Sequence, residues 1–341
     1  MKKYTGNYTK QIAFPLGGIG TGSISISGNG MLVDPEINGY PDREKECKFT
    51  NFAIKAEADG KVIDSRLLSG DHIHDAVGTI RGSYGVGNAP LSGFKHFDNS
   101  VFKAEFSFAE IEFKDSVFPA EVVLEAFNPF IPSDDKNSSI PAAFFNITIK
   151  NTSNKNIKYT VLGTLSNLLK SGGLNRYSEK NGIKMITLNG GEKNGNDNIT
   201  IATDSENTAH QDYWFRGGWF DTLTMFMNEL ITPGSITKRT YETENSGANG
   251  DAATLTAEVN LKPGETKTVK FLISWYVPYL HAKPGNWWGL SKEKDLKNYY
   301  AVLFKNSIET ATYCFENWKK TLYRNKNICK RFVFVICSRR G

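Results

Sequence analysis

Four carboxylates and a guanidinium, Asp34, Glu36, Asp42, Arg43 and Glu44, follow closely on a glycine-rich turn. Two carboxylates flanking a scissile bond are what glycoside hydrolysis requires, one as acid and one as nucleophile or base. Spacing alone selects no pair among them, and acids beside glycine turns are mostly solvated or turn-capping groups. In Asp71-His72-Ile73-His74-Asp75 the two imidazoles share one face of an extended chain, as metal ligands on a strand do. No third ligand accompanies His72 and His74, so a polar loop is the better reading, and neither a metal nor a cofactor is expected. Indole rings offer a different chemistry, because their flat faces pack on the apolar faces of pyranose rings. Tyr213-Trp214-Phe215-Arg216 with Trp219-Phe220 is one such cluster and Trp287-Trp288 another. Buried aromatics are far commoner than open platforms. Trp287 and Trp288, set in a polar connector, are the candidate substrate-binding residues, and no catalytic residue is assigned. Gly-x-Ser-x-Gly and His-Glu-x-x-His are both missing from the sequence, which removes nucleophilic-serine and zinc-protease chemistry.

The elements that must position these groups begin at Ile12-Ala13-Phe14-Pro15-Leu16-Gly17-Gly18-Ile19-Gly20-Thr21-Gly22-Ser23. A dinucleotide fingerprint would open a helix after a strand, and a P-loop would end in Lys-Ser/Thr. Here the glycines lead into the strict alternation Ser23-Ile24-Ser25-Ile26-Ser27, and Gly28-Asn29-Gly30 then turns the chain into Met31-Leu32-Val33, so they serve β-architecture. From Phe49 to Val277 short alternating runs separated by Gly, Asn, Asp and Pro predict an all-β body. Phe102–Phe113 and Ala142–Asn151 each read as a strand with one wet face, and Thr254–Leu261, Lys262-Pro263-Gly264-Glu265 and Thr266–Trp275 as a hairpin. So many strands favour a large two-sheet antiparallel β-sandwich. On the apolar phase of these runs Phe14, Leu16, Phe106, Phe108, Phe145, Ile147, Leu255, Phe271 and Ile273 are expected to be buried. Beyond the connector, Leu296, Tyr300, Leu303, Phe304, Ile308, Ala311, Phe315, Trp318 and Leu322 recur at helical spacing, predicting one long C-terminal amphipathic helix from Ser291 to Tyr323.

Charge and cysteine usage narrow the classes further. The net charge of +5 comes from the last residues: 319–341 hold eight Lys and Arg and no acid, which leaves −3 for residues 1–318. A mildly acidic body gives no footprint for nucleic acid. Phe332–Cys337 is too short an apolar run to span a bilayer, and no apolar segment follows Met1-Lys2-Lys3, so no transmembrane segment or export signal is expected. Four cysteines with no Cys-x-x-Cys pair indicate reduced thiols and a cytoplasmic protein.

Several segments taken together resemble one family. They are Ile12–Gly22, Glu121-Val122-Val123-Leu124-Glu125-Ala126-Phe127-Asn128-Pro129-Phe130-Ile131-Pro132, Asn137–Ala142, Lys150–Ser153, Leu261–Thr266, Ser274-Trp275-Tyr276 and Lys297–Ala301. The family is the non-lysosomal glucosylceramidase and β-glucosidase group, glycoside hydrolase family 116, and the likeness spans residues 11–322 in consistent order. The resemblance implies an N-terminal β-sandwich followed by a helical domain that carries both catalytic carboxylates of a retaining β-glucosidase acting on a β-glucoside or glucosyl lipid. It also implies a β-sandwich domain over 1–285, a linker and helix over 286–323 leading toward a helical catalytic domain that is missing here, and a non-native or disordered basic tail over 324–341. The chain departs from the family at Asp34-Pro35-Glu36-Ile37, where Trp usually precedes the Glu, and altogether after Tyr323, as a truncated or frameshifted reading frame would. No catalytic carboxylate has a matching position, so the chain is expected to be inactive alone. Cut off from that partner, Phe315 to Leu322 are expected to be exposed and to drive self-association. The alternative is an autonomous carbohydrate-binding β-sandwich module, which needs an exposed aromatic platform.

Overall fold

Runs such as Ala142–Asn151 and Thr266–Tyr276 place β-branched and aromatic residues on alternate positions, and each forms a strand in the computed structural model, which describes residues 1–43, 47–71, 91, 93–191, 196–245, 250–282 and 294–338. The first part of the chain supplies β1 (Lys2–Thr5), β2 (Ala13–Leu16), β3 (Ile24–Ser27), β4 (Leu32–Val33), β5 (Asn51–Ala58), β6 (Lys61–Leu67), β7 (Asn99–Glu105), β8 (Phe108–Lys114) and β9 (Ala120–Phe127). After the short helix α1 (Asp135–Ser138) come β10 (Ala142–Asn151), β11 (Ile157–Ser166), β12 (Asn175–Lys180), β13 (Ile183–Asn189), β14 (Asn198–Thr203) and β15 (His210–Gln211). Helix α2 (Asp221–Ile231), β16 (Ala252–Leu261), β17 (Thr266–Tyr276), β18 (Tyr279–Ala282), β19 (Lys294–Lys297), α3 (Tyr300–Leu303) and α4 (Ser307–Ser338) complete the order. The molecule is mostly antiparallel β-sheet. A nine-stranded sheet runs β1-β7-β8-β9-β10-β17-β14-β13-β12, and a five-stranded sheet runs β15-β16-β11-β5-β6. The sheets β2-β3-β4 and β18-β19 are smaller.

Residues from both large sheets fill one apolar core. Phe145, Ile147, Phe271 and Ile273 come from the nine-stranded sheet, and Phe52, Ile54, Val161 and Leu255 from the five-stranded one. The Phe52 ring lies 4.9 Å from that of Phe145 and 5.5 Å from that of Phe271, bridging the layers. Two of the passages between layers, β10 to β11 and β16 to β17, are adjacent arches. Residues 254–275 are therefore not a hairpin: β16 pairs with β11 and β15, whereas β17 pairs with β10 and β14. Alternation is the same in both arrangements, so it does not reveal which sheet a strand joins. Asn151 fastens the arches together, its Nδ2 donating to Lys155 O (2.8 Å) and Leu261 O (3.0 Å) while its backbone N–H reaches Glu265 O.

Of the residues expected to be buried, Leu16, Phe108, Phe145, Ile147, Leu255, Phe271 and Ile273 are buried. Phe14 is only half-buried, on the flank of the core near Phe102. Phe106 is 59% exposed, because Phe102–Phe113 is two strands and Phe106-Ser107 is the turn between them, with the ring edge-on to Phe130. The wet face of β10 is also partly dry, since Ala142 and Phe144 pack under α4.

The predicted helix from Ser291 is broken. Lys294–Lys297 pairs with Tyr279–Ala282, Phe304 is extended, and the long helix starts at Ser307. A capping arrangement explains the restart: Asn306 Oδ1 accepts from Glu309 N (2.8 Å) and Glu309 Oε2 from Lys305 N (2.6 Å). The helix also continues past Tyr323. Buried Asn325 accepts from Ser107 Oγ and Phe130 N and donates to Asn128 O, so this turn is tied to the sheet. The apolar stripe expected to be exposed is covered: Trp318 is buried against Phe127 and Phe144, and Phe315 and Leu322 are partly buried beside it. Trp318 is thus withdrawn from any self-association surface, and Phe315 and Leu322 retain only part of theirs.

Candidate functional site

The glycine stretch is the turn between β2 and β3, and other elements seize its backbone. Gly18 N–H donates to Ile140 O (3.0 Å), Ile19 N–H to Ser138 O (2.7 Å), and buried Trp275 Nε1 to Thr21 O (2.7 Å). Gly22 has φ of +79°, and a Cβ there would stand 2.4 Å from Glu36 O, so only glycine allows the 36–38 turn to lie against it. Glu36 N–H donates to Ser23 O (2.9 Å), closing the contact.

Between these segments lies a cavity of about 440 Å³, bounded by Gly20, Gly22, Glu36, Tyr40, Arg43 and Leu280. Of the charged residues singled out in the sequence, Glu36 and Arg43 line this cavity, and Asp34 and Asp42 do not. Glu36 Oε1 accepts from Asp42 N (3.3 Å) and Arg43 Nε (3.2 Å), so this carboxylate orders its own loop. Asp34 sits in the left-handed region at φ +52°. Glu44 lies outside the described residues, as do His72, His74, Trp287, Trp288 and Ser291, the expected start of the C-terminal helix. Among the described residues no group of three His, Cys, Asp or Glu is placed to hold a metal ion.

The first aromatic cluster divides. Tyr213 and Trp214 are core residues, with the Trp214 ring stacked on Phe226 at 4.1 Å and its Nε1 donating to Thr254 Oγ1. Trp219 and Phe220 are 93% and 72% exposed.

Two features went unread in the sequence. Helix α1 and its cap form a junction: Asp134 accepts from Arg324 Nη1 (2.6 Å), Asp135 from Tyr299 Oη (2.6 Å), Asn137 from Tyr313 Oη (2.8 Å), and Ser138 O receives the glycine loop. Burial would raise the Asp134 carboxyl, but bonds from Asn137 and Arg324 outweigh it and hold the group below its ordinary range. The N-cap motif Asp134-x-x-Asn137 was the available signal. Lys55 is the second feature, an almost fully buried lysine whose Nζ donates to the carbonyls of Glu229 (3.2 Å), Thr232 (2.8 Å) and Gly234 (2.8 Å). Burial lowers its pKa, and nothing in a strand sequence marks such a residue.

The chain is thus a mostly antiparallel β-body with a helix fixed across one sheet and a cavity at a glycine turn. Over residues 13–321 the chain matches the sequence profile described as beta-glucosidase 2, glycosyl-hydrolase family 116 N-term, and it belongs to that family. No match was found among curated proteins. Similar solved structures include a polysaccharide lyase (7% identity, TM-score 0.36, covering 78% of this chain and 33% of that one). Another is described as a kojibiose phosphorylase from the human microbiome (9% identity, TM-score 0.31, 80% and 25% covered). A third is described as an aldose 1-epimerase from Klebsiella pneumoniae (8% identity, TM-score 0.36, 74% and 76% covered). The chain thus spans about a third of the lyase and a quarter of the phosphorylase. Among the described residues no helix is long and apolar enough to cross a membrane.

Proposed function

We propose that this chain is the N-terminal β-sandwich domain of a retaining β-glucosidase or glucosylceramidase-like hydrolase, supporting a helical catalytic domain in the cytoplasm and inactive alone. The observation that carries the reading is the family match over residues 13–321. It is supported by Glu36, whose bonds to Asp42 and Arg43 are those of a loop-ordering group. A retaining enzyme needs two carboxyl groups about 5 Å apart, and in the family these belong to the other domain. In this reading residues 1–285 are the sandwich and 286–323 the passage toward the catalytic domain.

The purified chain should hydrolyse aryl β-glucosides no faster than buffer, and adding the separately expressed catalytic domain of a family 116 enzyme should raise that domain's activity. Turnover by the chain alone that survives repurification, or no gain on mixing, would overturn the reading. A second reading, an autonomous carbohydrate-binding module, has in its favour the open rings of Trp219 and Phe220.

A further inference from the structure

We propose that the cavity beside the glycine turn binds the pyranose ring of a neutral β-glucoside. A volume of about 440 Å³ lies within the range of small-molecule sites and accommodates one or two sugar rings. Its walls are amphipathic in the way a pyranose is. Tyr40 and Pro41, neither of them buried, with the edge of Leu280, present an apolar surface suited to the ring's C–H face, and Glu36 and Arg43 stand at the polar side. Both bonds that hold Glu36 fall on Oε1, which leaves Oε2, among the described residues, open to accept from a sugar hydroxyl. The Arg43 side chain is 76% exposed, so most of its donors remain free for a second hydroxyl. The pairing of these two groups also decides against an anion, since the guanidinium charge is already met by a carboxylate. The glycine-turn wall of the site is preformed, because Trp275, Ile140 and Ser138 fix that turn from behind, so the ordering cost of binding falls mainly on the Arg43 side chain. Choosing a glucoside among neutral sugars rests on the proposed function; the neutral-polyol chemistry does not.

The test is a backbone-amide NMR titration of the whole chain with cellobiose, methyl β-D-glucopyranoside and glucose 1-phosphate, repeated with Arg43→Ala and Glu36→Gln. The expected result is saturable shifts at residues 20–23 and 36–43 with the two neutral sugars, and no tighter binding of the phosphate. Arg43→Ala, on an exposed side chain, should weaken cellobiose about tenfold without changing the rest of the spectrum. Glu36→Gln, which keeps the shape and removes the charge, should weaken it as well. Shifts confined to Trp219 and Phe220, tighter binding of glucose 1-phosphate, affinity unchanged by Arg43→Ala, or no shifts at all would overturn the assignment. If mixing with a catalytic domain raises activity while these titrations fail, only the cavity assignment falls. If the sugars bind here and mixing has no effect, only the domain reading falls.

Discussion

The outer faces of the two sheets are covered by helices in different ways. Over the nine-stranded sheet, α4 lays down Ala311, Cys314 and Trp318 on Phe127, Phe144 and Leu272. Both ends of this contact are fixed, by Ser307 on Asn198 and Thr200 and by Asn325 on the 107–130 region. Over the five-stranded sheet, α2 buries Phe226 and Leu230 but leaves Ile231 59% and Met227 40% exposed, with Trp219 and Phe220 open at its start. The lesson is that burying a sheet does not require closing the surface above it. The long helix completes its cover by bonding polar groups at its margins, whereas the short one is held mainly at its C-terminal end by Lys55.

The comparison can be broken by substitution. Trp318→Ala should cost about 3–5 kcal/mol by urea unfolding, the usual range for deleting a buried aromatic. Native Cys314, whose thiol burial holds protonated, should resist alkylation until that substitution exposes it, as peptide mass spectrometry would show. Lys55→Met should cost about 1–3 kcal/mol by leaving the part-buried carbonyls of Glu229, Thr232 and Gly234 without their donor, with faster amide exchange in α2. A larger loss from Lys55→Met than from Trp318→Ala would reverse the order of the two faces.

Smaller effects sharpen the contrast. Arg324→Ala should cost at most about 1 kcal/mol at neutral pH, since the pair with Asp134 is partly exposed. The Asp134 carboxyl is depressed in the fold, so its contribution is present above the unfolded value of about 3.9 and is lost as pH falls through the lower folded value. The gap between wild type and Arg324→Ala should therefore close below about pH 4, and a gap that widens in acid would reject the latch. Trp219→Ser should shift stability by no more than about 0.5 kcal/mol while removing the fluorescence of the one exposed tryptophan among the described residues, read as a loss of quenchable signal.

Much of the fold was legible because strand alternation is local: Phe145, Ile147, Phe271 and Ile273 declare their inward face within a few residues. What failed was non-local or hidden in a turn. Phe106 keeps the apolar phase yet occupies a turn, and the pairing partners of β16 and β17 lie from about 45 to about 130 residues away. Tyr300 and Phe304 continue the stripe of the helix across a break signalled only by Asn306 and Glu309. At the site, the glycines and Glu36 were visible from composition. Leu280 and Tyr40 were not, because tertiary packing alone brings them to the cavity.

The arch joining β16 to β17 sets a schedule for folding. Strand β17 sits between β10 and β14, and β16 between β11 and β15, so each large sheet is completed by a strand from the last third of the chain. Until residue 276 has been synthesised, the earlier strands form fragments with open edges facing a gap. Pairings this distant in sequence also fold slowly, because loop closure must precede the contacts that reward it. A nascent chain paused before β17 is therefore the form most exposed to aggregation, and ribosome-bound chains ending before Thr266 should depend on chaperones that chains extended past Tyr276 do not need.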